Sequence, residues 1–146
     1  MSEGGASMPL VLMIALASPA ALGVETLLRW LVFPDDFEVL RQFLEPYLTP
    51  IAWGLAAITL LAALAIAPLY RASVKQKLAR LPADATPASR AAAWNGPLLL
   101  VSSLPQVPAL FATIAFMLGA GLAPVASCMV LSTLGVLVPG VLVRKV

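Results

Sequence analysis

Glu25 and Arg29 are the only two charged residues of this 146-residue chain that lie inside long apolar stretches. Those stretches run roughly over residues 8–33, 49–70, 97–118 and 123–143. An ionised carboxylate at mid-membrane costs roughly 2.5–3.5 kcal/mol, so an acid placed there is a candidate for ion or proton handling. The two residues are four apart with the acid first, the better order for a helical ion pair. If Trp30 marks the outer interface, Glu25 lies roughly 7–8 Å inside it at 1.5 Å per residue. Arg29, one turn further out, can extend its guanidinium to water. The spacing therefore predicts a shallow, mutually neutralising ion pair, with an ion site as the alternative.

A second candidate carries no charge. The run from Ser102 to Pro108 places Ser102, Ser103 and Gln106 beside two prolines inside the third apolar stretch. Pro105 and Pro108 have no N–H to give, so the carbonyls of Val101 and Leu104 lose their helical donors. Such a break is tolerated at membrane depth where neighbours, hydroxyls or water satisfy those carbonyls, and transporters build substrate sites from it. Gln106 lies roughly 13 Å from the cytoplasmic interface, counted from Pro97. Ser132 and Thr133 of the fourth stretch reach a similar depth, which predicts a Gln106–Thr133 hydrogen bond. Glu25 is level with Ser127 and Cys128 instead, so two separate sites are expected.

Other chemistry is poorly provided for. The chain has no histidine, which removes the commonest metal ligand and the side chain that titrates nearest neutral pH. Cys128 is the single cysteine, so no intrachain disulfide or multi-cysteine metal site can form. The apolar stretches hold neither a nucleophile with a base nor a pair of aspartates, and no glycine-rich phosphate loop is present. No catalytic residue, cofactor or metal is expected. The second hairpin, through the segment PALFATIAFMLGAG (108–121), loosely resembles the two-helix proteolipids of rotary ATP synthases with their small-residue helices. That resemblance covers about a third of the chain. The carboxylate such proteolipids need is missing from the third and fourth stretches, as is their dense glycine repeat.

The elements that hold these residues follow from hydropathy. The chain is 61% hydrophobic, with mean hydropathy +0.97. Each stretch is long enough to cross a hydrocarbon core about 30 Å thick. Arg71, Lys75, Lys77, Arg80 and Arg90 face a single acid, Asp84, between the second and third stretches, and Arg144 and Lys145 close the chain. Basic residues concentrate on the cytoplasmic side, which predicts cytoplasmic N- and C-termini. The pI near 9.0 is explained by this bias, so no nucleic-acid partner is expected. The leader MSEGGAS has an acid and no base, so a retained first span is expected rather than a cleaved signal peptide.

Between the first two stretches, Asp35 is placed to cap a helix whose polar arc holds Glu38, Arg41, Gln42 and Glu45. Phe37, Phe43 and Tyr47 lie on its apolar side. This pattern predicts a short amphipathic helix over about 35–46 in the outer interface, ended by Pro46 and Pro50. Residues 71–81 are expected to continue span two as a basic helix within the cytoplasmic segment 71–96. The segment 82–97 reads as a Pro- and Ala-rich flexible linker, with Trp94 at the interface. A short turn at Gly119–Pro124 implies a tight hairpin of spans three and four. Ala52, Ala56, Ala63 and Ala67 form a small-residue stripe for close helix approach, with Gly135 and Gly140 serving likewise. A faint similarity between the segments following Pro9 and Pro97 hints at hairpin duplication.

The expected fold is therefore all-α: one polytopic membrane domain over 1–146, with four transmembrane helices as two antiparallel hairpins plus the interfacial helix. The expected function is that of a non-enzymatic accessory or scaffold subunit of a larger membrane complex. Its expected partners are lipids and either partner subunits or further copies of itself. The Ala-, Leu- and Pro-rich composition suggests a bacterial cytoplasmic membrane. The alternative is a small transporter or ion-conducting oligomer working through Glu25 or the third span.

Overall fold

The computed structural model describes residues 6–34 and 36–142, and its described residues form four helices and no strand. Helix α1 spans Met8–Val32, α2 Asp36–Ala79, α3 Pro87–Leu118 and α4 Leu122–Leu142. All four are long and apolar enough to cross a membrane. Asp35, Arg144 and Lys145, which entered the capping and topology expectations, lie outside the described residues.

Two helix boundaries differ from the sequence expectation. No separate helix ends at Pro46: α2 continues through Pro46, Pro50 and Pro68 for 44 residues. An internal proline removes one i→i−4 bond and costs about 3 kcal/mol, which flanking apolar packing can offset. Here Leu48 packs against the core and Ala52 is itself buried there, immediately around Pro50. The second difference lies in the linker. Helix α3 starts at Pro87 rather than near Pro97. Thr86 provides a local start signal, its Oγ1 accepting from the Ser89 N–H at 3.2 Å, with proline at the first helical position. Trp94 is turned into the bundle, 7% exposed, and Tyr70 Oη donates to its carbonyl at 3.3 Å.

Contacts along the bundle set the relative directions. The N-terminal end of α2 meets the end of α3 through Arg41 and Met117, while Tyr70 meets Trp94 at the other end, so these helices are antiparallel. Helix α1 runs beside α3 in the same direction, Ser7 N–H bonding Asn95 Oδ1 at 3.1 Å. Helix α1 packs on α3 and α4, and α2 packs on the same two helices.

The core consists of two apolar clusters. One is bulky, built around Ile66, Tyr70, Trp94 and Leu98. The other is rich in alanine, with Ala52, Ala56, Ala109, Ala112 and Phe116. Alanine lets backbones approach closely, the main source of packing between helices in a bilayer. Gly135 and Gly140 continue that logic in α4. A Cβ on Gly135 would lie 2.8 Å from the Ala63 Cβ, and one on Gly140 would lie 2.7 Å from Val11 Cγ1.

Candidate functional site

Between the two apolar clusters, each helix turns a small polar residue inward. Ser18, Thr59, Ser102 and Ser132 are all buried. Ser18 Oγ and Ser132 Oγ lie 3.3 Å apart across α1 and α4. The layer centres on α1, and the reason is Pro19. Its ring nitrogen cannot donate to the carbonyl four residues earlier, that of Ala15. Thr133 Oγ1 supplies the missing donor at 3.2 Å, and Gln106 Nε2 donates to the adjacent Ile14 carbonyl.

The structure thus brings Gln106 and Thr133 to one place without joining them. The expected bond between them is replaced by two bonds onto the α1 backbone. The Ala15 carbonyl left open by Pro19 is a fixed acceptor in hydrocarbon and takes Thr133, while Gln106 bonds its neighbour, the Ile14 carbonyl. The third span is kinked at most and not broken: α3 is helical through Pro105 and Pro108. Ser102 and Ser103 bond back to the Leu99 and Leu100 carbonyls at 3.0 and 2.7 Å. Ser103 faces outward and takes no part in the buried layer. A cleft of ≈ 260 Å³ opens beside it between Met13, Ala17 and Leu99. Hydroxyls and an amide without a base can tie helices and orient a polar guest; they cannot perform acid–base chemistry.

The end of the bundle where α3 finishes gathers Glu25, Arg29, Glu38 and Arg41. Arg41, expected on a solvent-facing arc, is 6% exposed and packs onto the end of α3. Its Nε donates to the Met117 carbonyl at 3.1 Å, and its Nη2 to the Phe116 carbonyl at 3.0 Å. These belong to the last turn of a helix, where carbonyls lack i+4 donors and a cation meets the negative dipole end. The guanidinium lies 5.6 Å from the Phe116 ring centroid. Gly119, at φ +127, ends α3, and a Cβ there would run into the Arg41 carbonyl. Gly121 N–H donates to Thr49 Oγ1 at 2.9 Å, so α2 braces both sides of the α3–α4 turn.

The expected Glu25–Arg29 ion pair does not form. Arg29 Nη2 donates to Glu38 Oε2 at 3.0 Å, and that oxygen also accepts from Arg41 Nη1 at 3.1 Å. Arg29 also lies over Phe116, 5.6 Å from the ring centroid. Neighbouring Trp30 points away from the bundle, 83% exposed. Glu38 wins Arg29 because its side chain is 51% exposed, so pairing there costs less desolvation than at buried Glu25. Glu25 is 9% exposed, and neither of its carboxylate oxygens has a hydrogen-bond partner.

Arg41 is the important residue that sequence reasoning placed on the wrong side of its helix. Its spacing with Glu38 and Glu45 matches a wet face, and nothing local signals that the end of α3 lies opposite. The role of Pro19, by contrast, was available from the same i−4 argument applied to Pro105.

A wider groove of ≈ 600 Å³ runs between α2 and α4. Its floor is small, with Ala56, Ala57, Ala126 and Ser127, and its walls are Trp53, Leu60 and Val130. Among the described residues no group of His, Cys, Asp and Glu could hold a metal ion. In comparisons with protein-family models, curated proteins and solved structures, nothing matches this chain.

Proposed function

We propose that this chain is a non-enzymatic integral membrane subunit that receives an apolar helix of a partner, or of another copy, in the groove between α2 and α4. The observation that carries the reading is the composition of that groove: an alanine and serine floor between large apolar walls. Without a hydrophobic driving force between helices in lipid, association depends on close backbone approach, and small residues on both helices permit it. The polar layer and the Arg41 cap are consumed internally, which suits a rigid scaffold better than a moving carrier.

In this reading the chain threads as two antiparallel hairpins in a bacterial cytoplasmic membrane, with both termini in the cytoplasm. The basic residues between α2 and α3 support that orientation. The outer turns of α2 then lie at the interface, with exposed Phe43 and Tyr47 toward lipid headgroups.

Extraction of native membranes in mild detergent should recover the chain in a stoichiometric assembly. Ala57→Trp or Ala126→Trp, each filling the groove, should release it. Recovery of the wild-type chain solely as a free monomer overturns the reading.

A further inference from the structure

Among the described residues, Glu25 holds the only buried side-chain oxygens without a hydrogen-bond partner. The cations near it are bonded to other groups. Arg29, one turn further along α1, is bound to Glu38 at 3.0 Å. Arg41 is committed to two main-chain carbonyls and to Glu38. Of the helices packed on α1, α3 brings only Arg90, at the opposite end, and α4 brings only the Cys128 thiol. The outer turns of α2 add Asp36, Glu38 and Glu45, all acids. A metal ion would need several oxygen ligands. A proton needs one oxygen and no coordination shell.

We propose that Glu25 is a proton-binding site at the outer end of the bundle, and that Arg29 passes between Glu38 and Glu25 as the proton binds and leaves. With the proton on a Glu25 oxygen, the carboxyl is neutral and Arg29 rests on Glu38, the arrangement in the structure. When the proton leaves to water on the outer side, the carboxylate left behind attracts Arg29, which is within one helical turn. Glu38 is not stranded by the exchange, because Arg41 Nη1 still donates to it at 3.1 Å. One proton is released and one ion pair is traded for another. The Arg29–Glu38 bridge ties α1 to α2, so the outer end of α2 is fastened to α1 only while the proton is bound. This site is independent of the partner-binding groove and stands whether or not that groove is occupied.

Infrared difference spectroscopy on the full chain in phosphatidylcholine vesicles tests it. A carboxylic-acid C=O band should titrate with pH, vanish in Glu25→Gln and shift in frequency in Glu25→Asp. Glu38→Gln frees Arg29 to stabilise the Glu25 carboxylate, so the midpoint should fall by about one pH unit or more. Arg29→Gln should move it the other way. A band indifferent to both Glu25 variants, or a midpoint unmoved by Glu38→Gln, overturns the proposal. A midpoint that moves with sodium at constant ionic strength identifies a metal cation and overturns it equally. If Glu25→Gln does not fold, the Glu25→Asp and Glu38→Gln spectra still decide.

Discussion

Replacing Arg41 by methionine should be among the most destabilising single changes in this chain. The residue is 6% exposed and its side chain donates to Met117 O, Phe116 O and Glu38 Oε2 at 3.1, 3.0 and 3.1 Å. Hydrogen bonds involving a charged group contribute about 1.5–3 kcal/mol each. The Phe116 carbonyl has a second donor, the Gly119 N–H at 3.1 Å, so its loss falls at the low end. The Met117 carbonyl is left dependent on water. The Glu38 contact involves a half-exposed partner and adds only about 0.5 kcal/mol. Methionine retains much of the apolar stem, so little packing is lost. The expected loss is about 3 kcal/mol, read as the shift in unfolding free energy in a mixed-micelle denaturant titration. Arg41→Lys should lose roughly half of that, because an ammonium cannot reproduce the planar fork that serves two carbonyls. Arg41→Met within about 0.5 kcal/mol of wild type, or Arg41→Lys as stable as wild type, would refute the claim that this guanidinium caps α3.

Two further perturbations address the packing. Gly135→Ala should cost about 1–3 kcal/mol, since its Cβ would meet that of Ala63 at 2.8 Å. Adding Ala63→Gly should restore most of the loss in the same titration, and an additive double mutant would remove the close approach as its cause. Thr133→Val should cost only about 0.6 kcal/mol, the usual worth of an interhelical hydrogen bond in a membrane. In a Pro19→Ala background that cost should shrink, because the restored N–H can serve the Ala15 carbonyl. An undiminished cost there would mean that Thr133 does not serve the carbonyl that Pro19 leaves open.

Hydropathy made the four apolar, span-length segments legible, but not the merging of residues 36–46 into α2. The ends were read less well. The prolines predict a separate helix ending at Pro46 and a third span starting near Pro97, yet α2 and α3 both run through them. One missing hydrogen bond is a local cost that packing elsewhere on a long helix can outweigh. The inward polar residues were half legible. Gln106 and Thr133 were placed at one depth, but their common acceptor is the α1 backbone beside Pro19.

The sequence by itself determined that four segments suit a membrane and that two charges, Glu25 and Arg29, lie within them, because transfer to hydrocarbon depends on residue type and segment length alone. The tertiary structure decided which face of each helix turns inward, that Arg41 closes α3, and that Arg29 leaves Glu25 for Glu38. Lipid and bundle interior are equally apolar, so no hydrophobic periodicity separates them, and a buried ion or carbonyl finds its partner only when another helix arrives.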